Sequence, residues 1–449
     1  MRVPFRSVDA SWLRMDEPEN LMVVTGVLVL GAPVPMETVR ALVEERLLRF
    51  RRFRSRVARP LAGVGLPSWE VDPEFELDHH LRAVRLPEGA GEPDLQAFVS
   101  RRLSEPLAPD RPLWTVDVVE GFQGGTAIVA RIHHCIGDGM ALVHVLLSMA
   151  DQAPPAERRG RRSGRRSLAG WGITLGQGVL RGAASVLGHP GRIGDLARLA
   201  SGSAGSLLGL LTLADDPPTA LKGPLGTAKV AAWSRPIELA DVKALGRATG
   251  STVNDVLIAA LAGAVRRTLA ARGEPPRDLE VRGVVPVNLR SPEAGGRLGN
   301  RFGLVFLALP VGVEDPLDRL FEVRRRMRAL KGTPQALAVY QVLWAMGAAP
   351  RPVFDLALRI FAAKGTAVVT NVIGPREPIS IAGAPLEEAM FWVPSAGRLA
   401  LGVSILSYAG RVWLGIQADA SVIPDPRSLL DGFEAELRAL EELRRAATE

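Results

Sequence analysis

Residues Thr126 to Leu147, TAIVARIHHCIGDGMALVHVLL, carry the reading from which the rest of the chain follows. β-Branched and small apolar residues run from Thr126 to Ile132, broken only by Arg131, and predict a strand entering a core. His133 and His134 close that strand. Gly137-Asp138-Gly139 predicts a turn, after which Met140, Leu142, Val143, Leu146 and Leu147 recur at helical spacing. Imidazole and carboxylate are thereby mounted where a strand hands over to a helix, a rigid support for reactive groups. Successive side chains of an extended chain point to opposite faces, so only one of the two histidines faces a given cavity. By the same rule Cys135 points away from His134. Asp138, four residues past His134, meets it if the turn folds back.

Working outward, 449 residues allow two or three domains and a large core. Hydrophobic residues at 47% and charged residues at 23% are those of a globular protein and exclude wholesale disorder. A formal charge of +7 and a pI near 10.2 favour an anionic partner: a phosphate-bearing molecule, an acidic lipid surface or nucleic acid. The single cysteine, Cys135, excludes an internal disulfide framework and fits a reducing compartment. The N-terminal stretch is charged throughout, unlike a signal peptide, and no apolar run approaches the roughly 18–20 residues of a membrane span. The expected setting is cytoplasmic.

Upstream, Leu21 to Leu30 predicts a buried strand and Met36 to Phe50 an amphipathic helix. That helix runs into Arg49, Arg51, Arg52, Arg54 and Arg56, read as a solvated face with a phosphate contact as the alternative. Trp69 to His80 reads as an edge strand and turn, and Asp94 to Leu103 as a helix. Pro112-Leu113-Trp114 precedes a short strand, Thr115 to Glu120, which a glycine-rich hairpin joins to the central one; Trp114 is read as core packing or as a substrate contact. Residues 1–152 form the first domain. Residues 153–227 form a basic, Gly/Ala/Leu-rich linker; within it an arginine run from Arg158 to Arg166 precedes an apolar stripe from Leu168 to Leu187, which either lies on an anionic membrane or packs on the protein. Residues 228–449 form the second domain. Its expected elements are a strand and helix up to Gly250, a long helix from Val256 to Leu269 opened by Asn254-Asp255, and strands at Leu279 to Val287 and Leu304 to Leu309. A helix from Pro316 to Leu330 capped by Asp315, a stretch from Ala367 to Thr370 that leads into a loop at Thr370 to Pro375, strands at Leu399 to Ser407 and Arg411 to Ala418, and a helix from Asp425 to Ala447 complete it. Asn254 is read as a helix cap or, because a carboxamide can donate, as an oxyanion donor.

Four chemistries compete at the histidines: His134 as general base, a metal held by His133, His134 and Asp138, Cys135 as nucleophile, and structural packing alone. Two imidazoles and an aspartate beside two glycines make a poor core, and six histidines with no HExxH or cysteine-rich partner make a poor metal site, so no metal is expected. The arginines lack interleaved aromatics, which argues against nucleic acid.

His133 to Gly139 matches the HHxxxDG motif of the CoA-dependent acyltransferase superfamily. Pro112-Leu113-Trp114, Asn254-Asp255, Gly299-Asn300 after VPVNLR, and Thr370-Asn371-Val372-Ile373-Gly374-Pro375 follow in the order of the bacterial wax ester synthase/diacylglycerol acyltransferase family, which the chain resembles from about Ser7 to Glu442. Thr370 and Ile373 depart from that family's usual SNVPGP. The resemblance implies an α/β fold of two chloramphenicol-acetyltransferase-like domains, each a mixed sheet flanked by helices, with a tunnel between them. It implies acyl-CoA as co-substrate with no separate cofactor, and diacylglycerol or a long-chain alcohol as acceptor, attacking the thioester directly. By the same resemblance His134 is the base, accompanied at the catalytic centre by His133, Asp138, Gly139 and Asn254. Asp138 pairs with an arginine, for which Arg290 is the candidate. Pro112, Leu113, Trp114, Asp255, Thr370, Asn371, Gly374 and Pro375 bind substrate, and the enzyme works peripherally at the inner face of a membrane or on a lipid droplet. The alternatives are acyl transfer to a small-molecule or polyketide alcohol, and a non-catalytic binding relative.

Overall fold

The Thr126–His133 strand pairs antiparallel with Val23–Leu30 on one side and with Trp114–Glu120 on the other. A computed structural model describes residues 2–60, 65–152, 212–290, 298–331, 333–395 and 397–446. The linker's arginine run and apolar stripe therefore lie outside the described residues. Leu81–Arg85 adds in parallel beyond Trp114–Glu120. On the far side of Val23–Leu30 lies Ala384–Trp392, antiparallel, with Ser380–Ile381 at the edge. The first sheet thus takes two strands from the second half of the chain. The boundary drawn at residue 228 divides the sequence but not the sheets.

The second sheet runs in the order Phe302–Leu309, Val281–Asn288, Ala367–Ile373, Leu401–Tyr408, Arg411–Asp419 and Lys229–Trp233, with Ile237–Glu238 also on Arg411–Asp419. Its two inner pairings are parallel and its remaining pairings antiparallel, the mixed character expected of the α/β fold. Val253–Ala271 crosses its face, apolar and buried over most of its length, and Arg427–Ala446 packs upon it. Thr252, not Asn254, caps the Val253–Ala271 helix: its side chain accepts from the Asp255 amide at 3.2 Å, and the Asp255 carboxylate accepts from the Thr252 amide at 2.8 Å. This reciprocal pair answers two free amides of the first turn and gives Asp255 a structural task in place of the expected substrate contact.

Two helices that no sequence feature announced, Gln335–Ala348 and Arg351–Ala363, follow the Pro316–Lys331 helix. The first packs on the N-terminal helix Ser7–Met15, where Ser7 and Ser11 face it; the approach is close enough that Gly347 admits no side chain, since a Cβ would stand 1.8 Å from the Ser7 carbonyl oxygen. The expected Met36 to Phe50 helix is α-helical only to Leu42, passes through a π-helical turn to Leu47, and is followed by a 3₁₀ turn at Arg51–Arg54. Among the described residues no single helix is long and apolar enough to cross a membrane. One pair, Leu239–Thr249 with Val253–Ala271, passes that test jointly, but it bends by 96° and its longer helix lies in the core.

Candidate active site

The chain leaves the strand at His133, whose amide donates to the Leu113 carbonyl at 2.9 Å, while the next amide, His134, donates to Met22 at 2.7 Å. Opposite directions of the two amides carry the two imidazoles apart. His133 turns toward Asp16, 3.6 Å from Nε2, and accepts the Cys135 amide at Nδ1. His134 turns into the cavity between the sheets. Gly137 then bridges to Gly299 of the second half, in parallel; φ of Gly299 is +113°, a backbone region open to glycine.

Asp138 fixes this junction. Oδ1 accepts the Ala141 amide at 2.9 Å and caps the helix Gly139–Met149. Oδ2 accepts from Arg290 Nη2 at 2.8 Å and from the Arg301 amide at 2.9 Å, and Arg290 also reaches the Gly299 carbonyl. One carboxylate therefore closes the HHxxxDG turn and ties it to the second half of the chain through Arg290. Arg52, from the run read as solvated, does the same from the first half: it donates to the Cys135 and Ile136 carbonyls at 3.0 and 2.8 Å and to Asp9 Oδ2 at 2.8 Å. Its side chain is 17% exposed, so the solvated reading fails for this arginine.

His134 is held by Asn300. Asn300 Nδ2 donates to the His134 carbonyl at 2.8 Å and to Asp9 Oδ1 at 2.9 Å. Both amide protons are thereby used, so Asn300 Oδ1, 2.9 Å from His134 Nδ1, is an acceptor, and His134 carries its proton on Nδ1. Nε2 is left with a free lone pair. Trp12 lies flat on the ring, centroids 4.1 Å apart and planes 13° apart, and Phe302 leans on it at 5.6 Å. Burial under these rings disfavours the imidazolium and lowers the His134 pKa to about 4, although Asp138 and Asn300 act in the opposite sense.

The cavity in front of His134 is small, about 90 Å³, and almost wholly apolar in outline: Val284, Pro286, Phe302, Leu304, Val368 and Val372 supply much of it. Gly139 and Asp138 lie at one wall, Thr370 and Asn371 at the other. Thr370 and Asn371 belong to the strand Ala367–Ile373, which runs into the segment read as a loop and stops before Gly374. Two buried donors on the lining have no partner among the described residues, Trp12 Nε1 and Thr370 Oγ1. A second cavity of about 450 Å³ shares Asn371 and Ile373 with the first and holds Asn254, Gly374 and Pro375. Asn254 is thus not at His134; its Oδ1 accepts from Asn371 Nδ2 at 2.8 Å, and the pair stands where the two cavities meet. The wall of the second cavity carries Lys243, Lys331 and Arg376 and, among the described residues, no carboxylate.

Pro112, Leu113 and Trp114 lie elsewhere. Leu113 receives the His133 amide, and Trp114 is 1% exposed, donating from Nε1 to the Phe53 carbonyl at 2.8 Å and stacking on His80 at 4.7 Å. Pro112 and Trp114 wall a separate cavity that does not include His134. The residues that sequence reasoning missed are Asp9, Trp12 and Phe302. A carboxylate in an N-terminal helix gives no sign that it will be fully buried, because partners that permit it, Arg52 and Asn300, are 43 and 291 residues away. Asn300 had a signal in the Gly299-Asn300 pair, but not its task. Among the described residues no group of three His, Cys, Asp or Glu is placed to hold a metal ion.

Comparison with known proteins agrees with this architecture. The wax ester synthase/diacylglycerol acyltransferase catalytic domain model matches residues 5–257, and the C-terminal domain model of that family matches residues 298–441. A probable diacylglycerol O-acyltransferase of Mycobacterium tuberculosis is 29% identical over 95% of this chain and 93% of its own. The wax ester synthase/diacylglycerol acyltransferase of Marinobacter aquaeolei superposes with a TM-score of 0.69 at 21% identity, covering 98% of this chain and 99% of that one. The first condensation domain of the calcium-dependent antibiotic synthetase superposes with a TM-score of 0.62 at 18% identity over 99% of this chain and 96% of that one, so the fold is shared with a condensation domain as well.

Proposed function

We propose that this chain, which belongs to the wax ester synthase/diacylglycerol acyltransferase family, transfers the acyl group of acyl-CoA to diacylglycerol, to a long-chain fatty alcohol or to both, with His134 as general base. Acyl transfer follows from the family; the acceptors and the role of His134 are the proposal. The observation that carries it is the 2.9 Å hydrogen bond from His134 Nδ1–H to Asn300, which leaves Nε2 unprotonated inside an apolar cavity. Such a nitrogen accepts the proton of an acceptor hydroxyl as its oxygen attacks the thioester carbonyl. The imidazolium so formed is costly in a dry site, and the negative charge growing on the reacting atoms offsets that cost. Collapse of the tetrahedral intermediate breaks the C–S bond, and the departing CoA sulfur takes the proton from Nε2. No acyl-enzyme is involved.

The Thr370 hydroxyl, buried on the same cavity and without an acceptor among the described residues, suits the oxyanion, a contribution of about 3–4 kcal/mol where such donors have been removed elsewhere. Asn254 acts through Asn371 at the junction of the cavities. Acyl-CoA enters by the larger one, whose Lys243, Lys331 and Arg376 suit its phosphates, and the acceptor by the other side. A lipid acceptor and a charge of +7 favour peripheral work on an anionic membrane or a lipid droplet on the cytoplasmic side; flotation with anionic vesicles but not with zwitterionic ones is the expected behaviour.

The test is CoA release from palmitoyl-CoA by the purified protein and by His134→Ala, with dioleoylglycerol and hexadecanol offered in parallel. Alcohol-dependent release should fall by about 10²–10⁴-fold in the variant. Equal release in both proteins would remove His134 from the chemistry, and no release with either lipid acceptor would move a small-molecule alcohol to the front.

A further inference from the structure

The cavity walled by Pro112 and Trp114, about 320 Å³ and away from His134, has a charge pattern that acyl transfer does not use. Arg82, Arg102, Arg111 and Arg131 line it against one carboxylate, Glu105. Arg102 is satisfied: Nε donates to Asp117 at 2.8 Å, and its terminal nitrogens meet the Glu105 carboxylate and Thr115 Oγ1. Arg131 is not. It is 1% exposed, its one acceptor is the Glu105 carbonyl, and its Nε has no partner among the described residues. Both nearby carboxylates are already hydrogen-bonded to Arg102. Burial, with Arg102 beside it, lowers the Arg131 pKa to about 10, as expected of a guanidinium short of a counter-charge. Among the described residues no ion pair engages Arg82 or Arg111. The far wall is rigid, because His80 is held by the Trp114 carbonyl at 2.8 Å and stacks between Trp114 and Phe75.

We infer that this cavity binds a phosphate group through Arg131 at its floor and Arg111 and Arg82 at its rim. Three guanidiniums beside one lining carboxylate, Glu105, which Arg102 already engages, suit a dianion that accepts several charge-assisted hydrogen bonds, more than a single carboxylate would. The volume admits phosphate together with a small ester group. A glycerolipid headgroup and the nucleotide end of CoA both supply that chemistry. The site gives the Pro112-Leu113-Trp114 segment a task apart from the acyl tunnel, and it stands independently of the role given to His134.

Thermal shift and titration calorimetry on the full chain, at constant ionic strength in chloride, test this with inorganic phosphate, glycerol 3-phosphate and adenosine 3′,5′-bisphosphate. Phosphate near a hundredfold over its Kd should raise Tm by about 2–4 °C. Arg111→Ala should raise that Kd by about tenfold, and Arg131→Met should abolish the response. The rim variant decides the matter if Arg131→Met does not fold. A variant-sensitive response to glycerol 3-phosphate points to the lipid source; one confined to the bisphosphate points to the nucleotide. No response in the wild type, or the same response to every probe in wild type and variants, overturns the inference.

Discussion

Replacing Asn300 by alanine separates the orientation of His134 from its presence. The variant removes the acceptor at 2.9 Å from Nδ1 and the donor to the His134 carbonyl, but keeps the Asn300 backbone amide on Asp9. A buried Nδ1–H without an acceptor costs about 1–3 kcal/mol. Imidazole escapes that cost by moving its proton to Nε2, where it can no longer act as a base. At 1.4 kcal/mol per factor of ten, the productive tautomer and kcat fall by about 5–150-fold. Asn300 is not on the cavity lining, so the KM values for acyl-CoA and acceptor should hold within about twofold. Initial rates of CoA release, varied in both substrates, read the two constants, and a melting curve checks that the variant is folded. A folded Asn300→Ala protein with wild-type kcat, or one whose loss lies entirely in KM, would refute the tautomer argument.

The low His134 pKa predicts an acid limb of kcat/KM centred near pH 4 instead of 6.5, with activity flat between about pH 5 and 8; a limb at 6.5 would mean that the titrating base is solvated. The same shift has a stability consequence: the unfolded chain binds the proton more readily, so between about pH 6.5 and 4 the fold loses roughly 3 kcal/mol as pH falls, and His134→Gln should flatten that slope in urea melts. Asp138→Ala and Arg290→Ala should each destabilise by about 3–5 kcal/mol, since each breaks the largely buried Asp138–Arg290 ion pair. The double variant should cost less than their sum by about 1–3 kcal/mol. Gly347→Ala forces the Gln335–Ala348 helix off the Ser7 carbonyl and should cost about 1–3 kcal/mol, with activity falling as Trp12 shifts against His134.

Elements whose pattern is local were readable in the sequence. Thr126–His133 and Gly139–Met149 announce themselves by period and by the Gly-Asp-Gly turn between them, and Asp315 caps the Pro316–Lys331 helix as expected, accepting from the amides of Leu317 and Asp318. What distance in sequence conceals was not readable. Ala384–Trp392 carries two glutamates and reads poorly as a core strand, yet it pairs with Val23–Leu30 more than 350 residues earlier. Asn254 reads as a cap, but Thr252 takes that role because it is the last residue of extended backbone before the helix, whereas Asn254 already lies within it. The arginine run reads as one solvated face, whereas Arg52 is drawn inward by a buried carboxylate and two carbonyls that only the fold assembles. His134 was legible as a residue of a candidate site, and its support was not, because Asn300 and, behind it, Asp9 come from parts of the chain far from it in sequence.

That support also limits how substrates reach the site. A cleft between two domains usually opens by hinge motion, which needs a junction crossed by few contacts. Here a strand of the second half lies in the sheet of the first, the Ser11 hydroxyl donates to the Leu343 carbonyl at 2.5 Å, and buried pairs at Asp9–Asn300 and Asp138–Arg290 cross the same junction beside His134. Opening by rigid rotation would break these together, including hydrogen bonds to charged groups worth about 1.5–3 kcal/mol each. Substrates must therefore thread the cavities, with side chains at the Asn254–Asn371 junction moving aside instead of the sheets parting. Small-angle scattering should accordingly give the same radius of gyration with and without a non-hydrolysable acyl-CoA analogue. A measurable contraction on binding would show that the halves move, and that the buried pairs beside His134 form only in the closed state.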